Sequence, residues 1–166
     1  MTALPALYSP ASPDLLRERQ TELDQLFAQL PVATPEQARG TWKGTLMAVR
    51  GLDWLPRGFA ARLYQALALP INPWQGKSLE GRSGDNRWLS PHGIAFGHFR
   101  IEQALSQVDG HPVLLLDYNV PENPALLRAI RGEARLLGEQ QLLARMNWQG
   151  RQGTHRILYF TLTPAE

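Results

Sequence analysis

Short hydrophobic runs separated by turn-forming residues dominate the chain from residue 72 onward, and a similar run lies near residue 40. Such runs, rich in β-branched and aromatic residues with turn signals roughly every 8–12 residues, are typical of antiparallel β-strands. Asp109-Gly110 is a strong hairpin signal between two of them. The predicted strands are Gly40–Arg50, Trp74–Leu79, Arg87–Leu89, Ile94–Leu105, Val113–Tyr118, Glu133–Leu137, Gln141–Asn147 and Arg156–Thr163.

Two segments have helical periodicity instead. Ser12-Pro13-Asp14 begins the first helix, because serine caps, proline fits the first helical position and aspartate suits the positive end. The second helix covers 54–69, with Phe59 and Tyr64 on its apolar face. That face either packs as a lid or core surface or contacts a ligand. A shorter helix is expected over Ala125–Ile130.

The segment Arg131–Leu143 has two interpretations. It could continue the short helix before it, or it could form a hairpin of two strands that turns at Gly138-Glu139. Glycine is favoured where a turn requires an unusual backbone conformation, so the position of Gly138 favours the hairpin.

About eight short strands with two helices indicate a mainly β (α+β) fold, a barrel or sandwich rather than a parallel α/β sheet. Eight strands close a barrel that is filled by side chains or holds one small ligand. A length of 166 residues fits one domain. We expect residues 1–11 to form a flexible arm and residues 12–166 to form a single β-barrel domain.

Composition excludes several classes of site. The chain has no cysteine, which excludes disulfides, thiolate zinc sites and cysteine nucleophiles. The net charge is only +2, with scattered arginines, so nucleic acid is not an expected partner. No signal peptide or apolar run of membrane-spanning length is found, so a cytoplasmic location without a membrane span is expected. The sequence is compatible with a homodimer.

Several short motifs resemble those of a known family. Gly40-Thr41-Trp42-Lys43-Gly44 is similar to the motif of the GXWXG family of uncharacterised bacterial proteins and its neighbouring domain. The likeness extends to Pro73–Lys77, Leu116–Tyr118, Pro121–Pro124 and, loosely, the closing strand. A Gly-x-Trp start before antiparallel strands is also similar to the calycins, which include lipocalins, fatty-acid-binding proteins and the haem-binding nitrobindins.

The resemblance to the calycins implies a binding barrel. Trp42 would close the base of the barrel, as the motif tryptophan of lipocalins does, and Arg145 or Arg156 would pack against it. The helix at 54–69 departs from the lipocalin pattern, because it lies between the first and second strands. Fatty-acid-binding proteins carry a helical lid at that place.

The strand Ile94–Leu105 leaves the orientation of its two faces open. Phe96, His98, Arg100 and Glu102 share one face, and a polar cluster would enter the cavity if that face pointed inward. In the alternative, Ala95, Gly97, Phe99 and Ile101 face inward and the polar side chains meet solvent.

Asp117 follows the apolar run Val113–Leu116, so its carboxylate is expected near a buried sheet. A carboxylate there must be paired or have a raised pKa, and either would mark a site. Structural pairing with an arginine, or a position at the solvent-exposed end of the strand, is the favoured alternative. The histidines lack the spacing of a metal site, so no metal ligand is assigned.

We interpret the chain as a small-molecule binding protein that holds an apolar or amphipathic ligand in its barrel. One alternative is an enzyme that uses the cavity for acid–base isomerisation or cyclisation, with Asp117 or His98 transferring the proton. A second alternative is a haem-binding barrel ligated by His155 or His98. The sequence identifies no cofactor. The candidate ligand-binding residues are Trp42, Tyr64, Trp74, Phe96, His98, Arg100 and Tyr159.

Overall fold

A computed structural model describes residues 15–67 and 72–165 of the chain. The expected arm over residues 1–11 and the helix start at Ser12-Pro13-Asp14 lie outside the described residues. The helices are a 3₁₀ turn Leu15–Arg17, α1 Gln20–Gln29, α2 Arg57–Leu67 and a 3₁₀ turn Leu127–Ala129. The strands are β1 Gly40–Met47, β2 Trp74–Glu80, β3 Ser83–Trp88, β4 Ile94–Leu105, β5 Pro112–Asp117, β6 Ile130–Gly138, β7 Gln141–Gly150 and β8 Gly153–Pro164.

The strands form a closed antiparallel barrel in which each strand pairs with the next along the chain. Pairing of β8 with β1 completes the barrel, with Gly44 opposite Leu162 and Leu46 opposite Phe160. Closure leaves no free sheet edge between the eight strands. The predicted mainly β barrel, with one N-terminal helix and one helix after the first strand, is therefore confirmed.

Alternation along the closed strands produces an apolar interior. One core cluster fills the barrel with Trp42, Phe99, Leu116 and Phe160 among its members. The Trp42 indole N–H donates to the carbonyl oxygen of Ala38 at 2.7 Å. This bond satisfies the one polar atom of a side chain that is otherwise buried apolar surface.

Two motif glycines let a second tryptophan, Trp74, enter the interior. A Cβ built on Gly44 would lie 2.1 Å from the Trp74 ring, so only glycine leaves room for the indole there. Gly76 has φ +151°, and a Cβ on it would lie 1.9 Å from the Trp42 carbonyl oxygen. The ladder between β2 and β3 shifts register between Trp74 and Gly76, which identifies a β-bulge.

A second core lies on the outer side of the barrel wall, beneath the helices. Leu23 and Phe27 of α1 and Tyr64 of α2 belong to it, together with Met47 and Tyr159 from the strands. The helices therefore pack against the outside of the barrel.

A buried ionic network strengthens this outer layer. Arg145 Nη2 lies 2.7 Å from Glu133 Oε2, and Arg135 Nη1 lies 2.9 Å from Asp109 Oδ2. Both guanidinium groups also stack over the Phe27 ring: the Cζ atom lies 4.4 Å from the ring centre in Arg135 and 4.2 Å in Arg145. Arginine suits such a place because its planar fork pairs with carboxylates and stacks on rings.

The expected packing of Trp42 by an arginine is not found. Arg145 contacts the carboxylates and ring of the outer layer, and Arg156 pairs with Asp24 of α1. Trp42 belongs to the interior cluster, on the other side of the wall. The odd-numbered position of Arg145 on β7 directs its side chain outward, whereas Leu142 and Ala144 point inward.

The ambiguous segment after residue 130 is a hairpin, as favoured, and it joins β6 to β7. The helix expected over Ala125–Ile130 is wrong, because only the 3₁₀ turn Leu127–Ala129 forms. Ile130 already begins β6, where pairing with β5 and β7 replaces helical hydrogen bonds. β1 ends at Met47 rather than at the predicted Arg50. The next residue, Ala48, has a positive φ of 45°, which is not a strand conformation.

Gly44→Ala should lower the free energy of unfolding by about 1–3 kcal/mol, because the added methyl overpacks against the Trp74 indole. Gly58→Ala is the matched control, since a Cβ there meets nothing within 4 Å. The control should be neutral or stabilise by about 0.5–1 kcal/mol through helix propensity. Urea unfolding measures both, and equal midpoints for the two variants would contradict the assigned fit.

Candidate functional site

A cavity of about 240 Å³ lies inside the barrel. Its wall is mostly aromatic and aliphatic, with three residues that bring an amine, an amide and a hydroxyl group to it. The apolar part of the wall consists of Leu46, Trp74, Trp88, Leu127, Ile130, Gly132, Met146, Leu158 and Phe160, and the polar part consists of Lys77, Asn86 and Tyr118.

The bulge at Gly76 explains why Trp74 and Lys77 both face the interior. In a regular strand two residues three positions apart point to opposite faces. The extra residue at the bulge restores the same direction for both. In the strand ladders Lys77 then lies opposite Trp42 of β1 on one side and opposite Asn86 of β3 on the other.

Lys77, Asn86 and Tyr118 form one hydrogen-bonded group. Lys77 Nζ donates to Asn86 Oδ1 and to Tyr118 Oη, each at 2.5 Å. Asn86 Oδ1 also accepts from Tyr118 Oη at 3.0 Å and from the Trp74 indole N–H at 3.4 Å. Three donors thus converge on a single amide oxygen.

Four aromatic rings surround the same amine. Lys77 Nζ lies 5.0 Å from the centre of Phe99, 5.2 Å from those of Tyr118 and Phe160, and 5.7 Å from that of Trp74. Ring faces attract a cation by about 0.5–2 kcal/mol each. Lys77 is only 4% exposed, so loss of hydration opposes that attraction.

Desolvation is the dominant effect on Lys77. In the described part of the chain no carboxylate forms a salt bridge with it. Burial without a counter-ion disfavours the charged form and lowers the pKa of Lys77 from 10.5 to about 7. Burial likewise raises the pKa of Tyr118, so its hydroxyl keeps its proton at neutral pH.

The structure distributes the aromatic candidates from the sequence over three places. Trp74 lines the cavity. Trp42 is buried in the interior cluster, opposite Lys77 in the ladder between β1 and β2. Tyr64 and Tyr159 belong to the outer core beneath the helices: Tyr64 Oη accepts from the Val49 N–H, and Tyr159 Oη contacts the Asp24 carboxylate.

The polar candidates on β4 lie outside the barrel. Gly97, Phe99 and Ile101 are the buried residues of that strand. The second of the two orientations is therefore the one observed, with Phe96, His98 and Arg100 facing outward. The imidazole of His98 contacts the Asp85 carboxylate, and its side chain is 41% exposed.

Asp117 is paired with two arginines on the outer side of the barrel. Its carboxylate lies 2.8 Å from Arg100 Nη2 and 3.3 Å from Arg131 Nε. Neither Asp117 nor His98 lines the cavity, so the structure does not bring these two candidate proton-transfer groups to it.

No histidine is found among the residues that line the cavity. His155, the other candidate haem ligand, is exposed on β8. Within residues 15–67 and 72–165, no group of three or more histidine and carboxylate side chains is placed to hold a metal ion. The same residues contain no helix long and apolar enough to span a membrane.

Sequence reasoning missed the three polar residues of the cavity. Lys77 ends the quoted motif Pro73–Lys77 and is one of two lysines in the chain, beside Lys43. Its position within a predicted strand, three residues after Trp74, was the available signal. Asn86 lies in β3 but just outside the predicted strand Arg87–Leu89, and Tyr118 is only the last residue of the predicted strand Val113–Tyr118.

Comparison with known proteins supports the fold alone. No protein-family model matches the chain, so the likeness to the GXWXG family stays a resemblance. The search of curated proteins also found no match. A crystal structure of a protein from Thermomonospora curvata is similar, with a TM-score of 0.56 and 18% identity over 90% of this chain and 89% of that chain.

The free energy of unfolding should rise with pH as the buried amine loses its proton. The pKa of Lys77 is lowered from 10.5 to about 7 on folding, so between these values the unfolded chain binds more protons than the folded protein. Linkage then stabilises the fold by about 2–3 kcal/mol between about pH 7 and pH 9. Urea unfolding of wild type and Lys77→Met at both pH values measures this gain. Parallel pH dependence in the two proteins would contradict the assignment.

Proposed function

We propose that the protein binds a small amphipathic molecule inside the barrel. The apolar body of the ligand packs against the aromatic and aliphatic wall, and its polar end meets Lys77. The observation that carries this proposal is the combination of an apolar cavity with one cluster of polar groups at Lys77, Asn86 and Tyr118. Small-molecule sites commonly pair an apolar wall with a few placed polar groups.

The size of the cavity limits the ligand. Its volume of about 240 Å³ exceeds the roughly 150 Å³ that accommodates benzene. It is below the roughly 300 Å³ at which pockets for drug-sized ligands begin. A single ring with a short substituent, or a short aliphatic chain, is therefore the expected size class.

The polar anchor in this proposal replaces the candidates chosen from the sequence. Asp117 contacts two arginines and His98 contacts Asp85 on the outer side of the barrel, so an acid–base reaction in the cavity would depend on Lys77 and Tyr118 instead. Haem binding is not supported, because no histidine is among the described residues that line the cavity. Binding needs only the one polar cluster that is present.

Benzyl alcohol and benzoate are suitable probes, because both combine one ring with one polar group. We expect saturable binding, detected by isothermal titration calorimetry. Leu158→Trp should weaken binding at least about tenfold, since the larger ring occupies the cavity. Leu105→Trp makes a comparable change at a side chain that is 68% exposed and outside the cavity, and it should leave binding unchanged.

Native mass spectrometry of the freshly purified protein provides an independent test. Extra mass that disappears on denaturation would support a carried ligand and would limit its chemical class. The proposal fails if neither probe binds, or if Leu158→Trp binds both probes as well as wild type does.

A further inference from the structure

We propose that Lys77 forms a reversible imine with an aldehyde or ketone bound in the barrel cavity. This inference rests on the proposed function, because the carbonyl compound must first occupy the cavity. It names the chemical class of the ligand and assigns Lys77 as the group that bonds to it.

The arrangement around Lys77 leaves its nitrogen available as a nucleophile. An uncharged amine has two N–H bonds and one lone pair. Asn86 Oδ1 and Tyr118 Oη accept two hydrogen bonds from Nζ, each at 2.5 Å, which accounts for both N–H bonds. The lone pair then has no donor directed at it from these two residues, because the Tyr118 hydroxyl donates to Asn86.

The surroundings favour the uncharged amine. Four aromatic rings surround Nζ, Lys77 is only 4% exposed, and no carboxylate pairs with it within the described ranges. Burial lowers the pKa of Lys77 to about 7, so a large fraction of the amine is unprotonated at neutral pH. Desolvation in an apolar pocket is an established way to activate a lysine for Schiff-base chemistry.

The bond-forming steps balance without a further reactant. The Nζ lone pair attacks the carbonyl carbon, and the carbonyl π electrons move to its oxygen, which gives a carbinolamine after one proton passes from nitrogen to oxygen. Loss of the hydroxyl with the second N–H proton releases one water and leaves a C=N bond. Tyr118 Oη touches Nζ and can relay the proton between nitrogen and oxygen.

A carboxylate ligand is less well matched by the same groups. Lys77 is the one cationic side chain among the residues that line the cavity. Its amine already donates to two acceptors, so an anion would receive at most one further N–H bond. The Tyr118 hydroxyl and the Trp74 indole both donate to Asn86 Oδ1, and the Trp88 indole donates to the Phe96 carbonyl.

The chain supplies its own internal control for a trapping experiment. Lys43 and Lys77 are the two lysines of the sequence, and Lys43 is exposed on β1. The protein is incubated with limiting benzaldehyde near pH 7, reduced with borohydride, and analysed by peptide mass spectrometry. Reduction converts an imine into a stable benzylamine at the lysine that formed it.

We expect benzylation at Lys77 to exceed that at Lys43 by at least about tenfold, and the label at Lys77 to saturate with aldehyde concentration. Lys43→Met should leave the labelling of Lys77 unchanged. Leu158→Trp should reduce it, because the variant keeps the amine but fills the cavity. Lys77→Met, checked for folding by circular dichroism, should lose the saturable label.

The outcomes separate this inference from the proposed function. If benzyl alcohol or benzoate binds in the cavity but benzaldehyde leaves no preferential label at Lys77, the imine is wrong and the binding function stands. Benzoate binding that Lys77→Met abolishes, without an aldehyde label, would assign an anion site instead. If none of the three compounds enters the cavity, both proposals are overturned.

Discussion

Closure of the barrel is the constraint from which the rest of the structure follows. Once β8 pairs with β1, the inward side chains of all eight strands face one shared interior, and a polar group buried there must find partners inside. Lys77 meets this condition only partly, because its partners are the neutral groups of Asn86 and Tyr118. The lost hydration of the amine is therefore not offset by an ion pair, and this imbalance gives the interior its chemical character.

The outer side of the wall follows the opposite arrangement. Arg135 and Arg145 are as deeply buried as Lys77, yet each has carboxylate partners and a stacked ring of α1. These paired guanidinium groups connect α1 to the barrel wall, through the Phe27 carbonyl oxygen and the Asp24 carboxylate. The outer layer thus contains arginines paired with carboxylates, whereas the interior, in the part of the chain that the structure describes, contains one amine that has no carboxylate partner.

Alternation along the strands predicted a barrel or sandwich, helical periodicity predicted the two main helices, and the position of Gly138 favoured the hairpin after residue 130. These patterns could not locate the site, because a bulge changes which residues of a strand face inward. The shifts at Gly76 and next to Asn86 turn Trp74, Lys77 and Asn86 to one side, and no residue count reveals them. On β4 both faces carry a phenylalanine, Phe96 and Phe99, so the inward face was ambiguous. Lysine is rarely buried without a charged partner, which is why Lys77 was overlooked.

The most direct test of this account is the titration of the Lys77 amine itself. With ¹³C-labelled lysine the protein gives side-chain signals from two residues, and Lys77→Met identifies the one from the cavity. The account predicts that the Cε shift of Lys77 titrates with a midpoint near the pKa of about 7 that burial produces. A midpoint that stays near the ordinary lysine pKa of about 10.4 would show that the amine is hydrated and charged, and would contradict the account.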